Sequence, residues 1–261
     1  MSFLKITESD WRSFFGKLAI FLEMYLFVPL AFYFSCVKAL VVVQNAPVAF
    51  LVFNKFLTGS AEAIGIRFLS FYLTDFLLIF FNLTFMLGLI LRKKLYKSSD
   101  SFFEILIPLI SAFSLVAFNA VNNVSKNVIF LPIPVDWVAF VALVGSVFVL
   151  LGAAFSFWAL FALKDSFSVF VEVRDVVTAG PYSVVRHPIY AGYIIQLFGF
   201  CFVYQTFLAI GLAFFAIFFF VYRAVLEEKK MCAFSDAYVR YRKHTPFIFP
   251  DIFFFKRRVH E

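Results

Sequence analysis

Long apolar runs are the feature of this sequence that most restricts its fold. A helix that crosses a bilayer needs about 20 mostly apolar residues, and about six runs of that length lie between charged or turn residues. With 63% hydrophobic and 15% charged residues, a water-soluble fold would leave too much apolar surface in water. The sequence therefore predicts an all-α, polytopic integral membrane helical bundle with spans at about 17–43, 68–91, 103–122, 136–162, 187–204 and 206–226.

The basic residues between the runs predict an orientation, because Lys and Arg concentrate in the cytosolic loops of membrane proteins. They are dense before the first run, after the second and after the sixth. This pattern predicts an even number of spans with both termini in the cytosol, in a bacterial inner membrane or the endoplasmic reticulum membrane. The apolar stretch 47–57 is too short to cross and is predicted to be interfacial or re-entrant. The dense groups are Lys5, Arg12 and Lys17; Arg92, Lys93, Lys94 and Lys97; and Arg223, Lys229, Lys230, Arg240, Arg242 and Lys243.

The net charge of +7 follows from the same distribution of basic residues and does not point to nucleic acid. The sequence has no basic patch interleaved with stacking aromatic residues outside the apolar runs, so nucleic-acid binding is not predicted. The basic tail at 256–258 is expected to lie against anionic membrane lipid. Cys36, Cys201 and Cys232 are far apart, so neither a disulfide framework nor a metal site is predicted.

Four charged residues fall inside or at the ends of the predicted spans, where charge is costly and a functional role is the default hypothesis. Lys38 and Glu104 lie near span ends, and their side chains are expected to reach the headgroups. Glu23 and Asp75 lie deeper. Each of these two acids either forms a buried structural hydrogen bond or contacts the polar part of a substrate.

The segment 164–193 is the most polar part of the sequence between two spans. Gly180 and Pro181 indicate a turn, and Pro188 suits the first position of a helix, where its missing N–H costs nothing. His187 is therefore predicted to cap the fifth span, whose positive end would attract a carboxylate or phosphate. The alternative is a basic loop with no ligand. That alternative leaves unexplained the clustering of Tyr182, His187, Tyr190 and Gly192.

A second polar cluster follows the sixth run, where the helix is predicted to continue into the cytosol through Tyr238 and Tyr241. Arg223 and Glu227 are four residues apart and share one face of this helix. Alone, the pair is most simply interpreted as an ion pair on a solvated surface. Since the fifth and sixth spans are joined by a tight turn at 204–206, they form a helical hairpin, and both polar clusters are predicted at its cytosolic end.

Together the two clusters resemble a family of membrane-embedded methyltransferases, the isoprenylcysteine carboxyl methyltransferases and the related phospholipid N-methyltransferases. The resemblance covers roughly 155–250. It predicts a methyltransferase-like core at 101–261, preceded by a leading membrane segment at 1–100 that has no counterpart in the family. The residues that carry it run from Val177 through Gly180, Pro181, Tyr182, Arg186, His187, Pro188, Tyr190 and Gly192 to Arg223, Glu227, Glu228, Phe234, Tyr238, Tyr241, Thr245, Pro246 and Pro250.

The resemblance implies that S-adenosylmethionine binds at the cytosolic end of the last two spans. The implied cofactor-binding residues are Tyr182, His187, Tyr190, Gly192, Glu227 and Glu228. The implied catalytic residues are Arg186, His187 and Arg223, with the two arginines available to an anionic acceptor or to the methionyl carboxylate. The acceptor is expected to be a lipophilic or small carboxylate, amine or thiol that enters from the bilayer. A carboxylate needs no base, whereas His187 or a glutamate would deprotonate an amine or thiol.

Two alternatives and one departure from the family pattern stay open at this point. The Arg-His-Pro-x-Tyr-x-Gly motif at 186–192 is shared with membrane sterol reductases and 5α-reductases, which use NADPH. A transporter or scaffold, with Glu23 and Asp75 on an ion path, is a second alternative. The interval from the glutamate pair to Phe234 is about one residue shorter than the family pattern, which leaves open whether Glu227 or Glu228 faces the cofactor.

Overall fold

The chain forms a bundle of α-helices in the computed structural model, which describes residues 8–60, 62–90, 99–121, 130–163, 166, 168–173 and 175–250. Lys5, the basic residues at 92–97 and the basic tail at 256–258, on which the predicted orientation and lipid contact partly rest, lie outside these ranges. In chain order the helices are α1 Glu8–Leu22, a π-helical turn Glu23–Phe27, α2 Val28–Leu57, α3 Ala63–Ile90, α4 Phe102–Val121, α5 Val135–Leu163, a 3₁₀ turn Gly180–Ser183, α6 Pro188–Tyr204, α7 Phe207–Phe234 and α8 Asp236–His244.

Each predicted span coincides with a helix, which confirms the all-helical prediction for the described residues. Three of the described helical stretches are long and apolar enough to cross a membrane, namely Trp11–Leu57, Asp136–Leu163 and Phe207–Phe234. Shorter apolar helices, Phe68–Leu77, Phe102–Ser114 and Pro188–Tyr204, lie in the other three predicted spans. Six crossings with both termini in the cytosol stay a prediction, as does the division of the chain at about residue 100.

The stretch 47–57 is not a separate interfacial or re-entrant element, so that prediction was wrong. It forms the C-terminal part of α2, which continues through Pro47 without ending. Proline inside a helix removes one backbone hydrogen bond and usually kinks the helix rather than stopping it when the neighbouring turns are well packed. The length of this apolar run, too short to cross by itself, was misleading because the run continues a longer helix.

The helix ends alternate between the two ends of the bundle. At one end, here called the site end, the last turn of α3 (Leu89), the first turn of α4 (Ile105) and the last turn of α5 (Leu160) pack against Ala19 and Phe170. At the opposite end, Leu131 N donates to the Gln205 carbonyl oxygen at 2.8 Å. The predicted hairpin is confirmed there, because Gln205 takes the left-handed conformation that ends α6 (φ 54°) and Thr206 caps α7.

Helices α5 and α6 approach each other closely at their glycines. A Cβ on Gly192 would lie 2.7 Å from the Gly152 carbonyl oxygen, and a Cβ on Gly199 would lie 2.6 Å from the Gly145 carbonyl oxygen. Small residues at matching positions let membrane helices approach this closely and gain dispersion contacts along their length. This contact holds α6, which carries many of the predicted site residues, against a rigid neighbour.

The charged residues inside the predicted spans pair with one another or with backbone. Lys38 Nζ lies 2.5 Å from Asp75 Oδ1, and Lys230 Nζ lies 2.7 Å from Glu104 Oε2. That Lys38 and Glu104 reach the headgroups stays a prediction. Both pairs join two helices, and pairing reduces the cost of removing each charge from water.

Candidate active site

A cavity opens among α2, α4, α6, α7 and α8 at the site end of the bundle. Its wall includes both polar clusters that the sequence separates by more than 30 residues. Six predicted site residues line it: Tyr182, Arg186, His187, Tyr190, Arg223 and Glu227. The hairpin of α6 and α7 therefore brings the two clusters to the same place, as predicted.

The first turn of α6 presents its side chains to the cavity as the sequence predicts. His187 is the N-cap residue and Pro188 occupies the first helical position. From there, one face of α6 lines the cavity through residues three or four apart, an interval that keeps side chains on one side of a helix. The residues of this face are His187, Tyr190, Tyr193, Gln196 and Phe200.

Three aromatic rings form a column along the cavity wall. The ring of Tyr190 lies nearly parallel to that of His187, with centroids 5.6 Å apart, and to that of Phe220 at 5.8 Å. The guanidinium of Arg223 lies over the Tyr190 ring, with its Cζ 5.2 Å from the centroid. The Tyr190 ring thus contacts one cation, and the same cation–π attraction is available to a ligand cation such as a sulfonium.

Glu227 joins this column from the next turn of α7. Its carboxylate accepts a hydrogen bond from the Tyr190 hydroxyl at 2.5 Å and one from Arg223 Nε at 3.1 Å. The predicted ion pair of Arg223 and Glu227 exists, but it does not lie on a solvated surface, since the two side chains are only 8% and 16% exposed. Glu227 is thus a cavity carboxylate held in one orientation by two donors.

The neighbouring Glu228 points elsewhere and is bound by two arginines and a histidine. Arg186 Nε donates to its Oε1 at 2.6 Å, His187 Nε2 lies 3.1 Å from the same oxygen, and Arg242 Nε lies 3.1 Å from Oε2. Glu228 is not among the lining residues that the structure describes. The geometry thus separates the two glutamates: Glu227 faces the cavity and Glu228 lies behind it.

The chain after α7 folds back over the start of α6. The sequence predicts one helix through Tyr238 and Tyr241, but α7 ends at Phe234 and Ser235 caps the separate helix α8. Beyond α8, the Arg186 N–H donates to the Pro246 carbonyl oxygen at 2.8 Å and the His187 N–H donates to the Phe247 carbonyl oxygen at 3.1 Å.

Both tyrosines of α8 line the cavity. The Tyr241 hydroxyl donates to the Tyr182 carbonyl oxygen at 2.6 Å. Burial, with a smaller contribution from the nearby Glu228 carboxylate, raises the pKa of the Tyr241 phenol well above its ordinary value. Burial is also the main cause of the raised pKa of Tyr238. Both phenols therefore stay protonated as hydrogen-bond donors across the physiological range.

Gly192 lies in α6 but does not belong to the described lining of the cavity. It faces α5, where an added Cβ would meet Ser156 Oγ and the Gly152 carbonyl oxygen. Its predicted contact with a cofactor therefore stays a prediction.

Sequence reasoning missed two parts of the cavity wall. One is the loop after α5, where the carboxylates of Glu172 and Asp175 contribute to the lining. The other is the start of the leading segment, where four apolar residues line the same cavity. The polarity of the loop was a signal for its part of the wall. No such signal marks the leading segment, because its apolar residues have the same types as lipid-facing or packing residues. These four residues are Phe27, Leu30, Ala31 and Phe34.

The cavity combines the groups that a charged, aromatic-containing ligand needs. Carboxylates can hold hydroxyl or ammonium groups, Arg223 and the first turn of α6 can hold a carboxylate, and the aromatic column offers faces to a ring or a cation. With these groups the site can bind and orient a zwitterionic cofactor.

The chain matches one family model over part of its length. No curated protein matches the chain. Residues 143–233 match the model of the isoprenylcysteine carboxyl methyltransferase (ICMT) family, and this range includes all six predicted residues that line the cavity. The resemblance predicted from the motifs is confirmed, and this segment carries the domain of a membrane methyltransferase family.

Proposed function

We propose that the protein is an integral membrane methyltransferase that uses S-adenosylmethionine to methylate a lipophilic or small acceptor bearing a carboxylate, an amine or a thiol. The observation that carries the proposal is the cavity in which Tyr190, Arg223 and Glu227 meet. All three residues lie in the segment that matches the methyltransferase family.

The residues at the polar end of the cavity fit the cofactor's groups. The Glu227 carboxylate faces the cavity and suits a ribose diol or the methionyl ammonium. The faces of Tyr182, His187 and Tyr190 suit the adenine ring and the sulfonium. The direct contacts with the cofactor predicted for Gly192 and Glu228 stay predictions. Both residues lie behind the lining, which supports a role for Gly192 in holding α6 against α5 and for Glu228 in holding Arg186 in place.

Bound at this end, the cofactor would supply an electrophilic methyl group. The chain's own part is to align an acceptor with that methyl and to exclude water, because an in-line displacement gains most from orientation. Arg223 is the cation placed to hold an anionic acceptor, since it lies in the lining between the polar groups and the apolar rings. Arg186 is already occupied by Glu228 and by the Arg242 and Thr245 carbonyl oxygens, so we assign it to holding the site together.

A proton acceptor is needed only if the acceptor is an amine or a thiol. His187 Nδ1 lies 3.9 Å from Glu227 Oε2 while its Nε2 contacts Glu228. The imidazole thus lies between two carboxylates and is the group we assign to accept that proton. A carboxylate acceptor would leave His187 in a purely positioning role.

We place the site end in the cytosol. The supporting observation is the concentration of Lys and Arg after the predicted second and sixth spans, both of which end at the site end. A water-soluble cofactor would then reach the polar end of the cavity from the cytosol, while the acceptor arrives from the bilayer.

Calorimetry on detergent-purified protein tests the cofactor. We expect S-adenosylhomocysteine to bind, and Glu227→Gln to weaken that binding about 10- to 100-fold, because a buried charged hydrogen-bond partner is worth about 1.5–3 kcal/mol. The matched control is Glu62→Gln, at an exposed glutamate far from the cavity, which should bind like the unmodified protein. Binding of NADPH with no response to S-adenosylhomocysteine would instead favour the reductase alternative.

A methyl-donor assay across acceptor classes then tests the acceptor. Long-chain carboxylates, amines and thiols are offered in turn with labelled S-adenosylmethionine. Transfer to one class identifies the acceptor group, and transfer to none of them, together with absent cofactor binding, would contradict the proposed function.

A further inference from the structure

The cavity is much longer than its polar end. The α6 face that lines it runs from His187 to Phe200, which is roughly 20 Å along the helix axis at about 1.5 Å per residue. The charged lining residues lie near the His187 end, at the level of Arg223 and Glu227. Beyond Tyr193, α6 contributes Phe200 and the uncharged Gln196, whose amide donates to Ser156 Oγ and to the Gly192 carbonyl oxygen. The rest of this part is lined by apolar residues of the π-helical turn, α2, α4 and α7.

The leading segment forms one wall of this apolar part. Phe27, Leu30, Ala31 and Phe34, here called the α2 wall, line the cavity and recur at intervals of three and four residues, which places them on one helix face. None of them lies in the segment that matches the methyltransferase family. The wall therefore comes from a part of the chain outside the matched segment.

A buried carboxylate holds the α2 wall in place. Glu23, fully buried in the π-helical turn just before α2, accepts hydrogen bonds from Val169 N at 2.7 Å and from the Ser168 hydroxyl at 2.9 Å. The Ser168 carbonyl oxygen in turn accepts from Arg223 Nη2 at 3.4 Å. Since π-helical turns often occur at functional sites, this connection indicates that the leading segment is part of the active site and not only a membrane anchor.

The chemistry of the apolar part excludes the cofactor and suits a hydrocarbon chain. Every polar group of the cofactor would lose hydrogen bonds beside Phe34 or Phe200, at a cost of about 1–3 kcal/mol each. A hydrocarbon chain would gain about 0.8 kcal/mol for each buried methylene. Because this part is continuous with the polar end, a chain in it would present its head group beside Arg223.

We propose that the α2 wall binds the hydrocarbon chain of the methyl acceptor and limits the length and bulk of the chain that the enzyme accepts. The inference rests on the proposed function. Ala31 is the smallest residue of the wall and is only 7% exposed. A larger side chain there would fill the apolar part, and a smaller residue in place of Phe34 would widen it.

Photo-cross-linking tests the inference without depending on turnover. The probe is N-acetylcysteine S-alkylated with a hexadecyl chain that carries a diazirine near its end, added to detergent-purified protein with S-adenosylhomocysteine. We expect saturable labelling of the peptide containing 27–34, displaced by unlabelled hexadecyl analogue and not by the butyl analogue. Ala31→Phe should lower this labelling at least about tenfold by filling the space.

The matched control is Ala49→Phe, at an alanine of the same helix that is equally buried (4% exposed) and outside the cavity lining; its labelling should match the unmodified protein. A second variant, Phe34→Ala, should improve competition by the branched phytanyl analogue about fivefold relative to the hexadecyl analogue. If Ala31→Phe does not fold, the competition measurement on Phe34→Ala tests the inference by itself.

Labelling of 27–34 that excess analogue does not displace, equal labelling of Ala31→Phe and the unmodified protein, or unchanged competition in Phe34→Ala would each overturn the inference. Intact binding of S-adenosylhomocysteine in those cases leaves the proposed function standing. Failure of the unmodified protein to bind S-adenosylhomocysteine would overturn both.

Discussion

Charged residues of α6 and α7 lie on two different faces of these helices, and their partners differ between the two faces. On the cavity face, Arg223 and Glu227 pair with each other and with Tyr190, and both line the space where ligands would bind. On the neighbouring, framework face, Glu228 is bound by Arg186, His187 and Arg242. The cavity face keeps charges accessible to a ligand, whereas the framework face uses them to join α6, α7 and α8.

The comparison shows that neighbouring residues of the same type can have separate roles. Consecutive positions on a helix point about 100° apart, so Glu227 and Glu228 cannot both face the cavity. We expect substitutions on the framework face to reduce stability most, and substitutions on the cavity face to reduce ligand affinity most.

The largest expected effect is that of Glu228→Gln. Arg186 and His187, both nearly buried, would lose their carboxylate, and breaking a buried ion pair from one side costs about 3–5 kcal/mol. We expect a clear drop in the midpoint of heat-induced unfolding in detergent, together with weaker binding of S-adenosylhomocysteine. Glu227→Gln is the comparison, and a larger loss of stability in Glu227→Gln than in Glu228→Gln would contradict the division into two faces.

Gly192→Ala should have the next largest effect. Its new methyl group would lie 2.1 Å from Ser156 Oγ and 2.7 Å from the Gly152 carbonyl oxygen, and overpacking of this kind costs about 1–3 kcal/mol. The control is Gly211→Ala in α7, where a Cβ meets nothing within 4 Å and the better helix propensity should stabilise by up to about 1 kcal/mol. Unfolding midpoints of the two variants should therefore move in opposite directions. Equal midpoints would show that Gly192 does not hold the contact between α5 and α6.

Much of the fold could be predicted from the sequence because apolar runs of spanning length have few alternatives to helix. The start of α6 was predictable for a local reason: His187 precedes a proline that suits the first helical position. The predicted hairpin was then enough to place Arg223 and Glu227 at the same end of the bundle as His187. No information on side-chain contacts was needed for this step.

What could not be predicted depends on how helices rotate and pack against each other. The rotation of α7 decides which glutamate faces the cavity, and it is set by contacts such as that of Lys230 with Glu104, which are distant in sequence. The α2 wall was not recognisable because Phe, Leu and Ala also face lipid. The role of Glu23 depended on backbone donors at 169 and 170, which no pattern in the leading segment indicates.

Tyr241 of α8 lines the cavity, and its substitution should give the smallest effect. Its hydroxyl links α8 to Tyr182, so at neutral pH Tyr241→Phe should cost about 1 kcal/mol of stability, the net value of one hydrogen bond. Because burial raises the pKa of Tyr241 in the folded protein, the unfolded chain loses this proton first, above a pH of about 10. The folded form of the unmodified protein is therefore stabilised fully below that pH and progressively less above it. Unfolding midpoints measured from neutral to strongly alkaline pH should show the difference between the two proteins shrinking above pH of about 10. A difference that stays constant across this range would mean that Tyr241 ionises equally easily in both states, and that α8 does not bury it against the site.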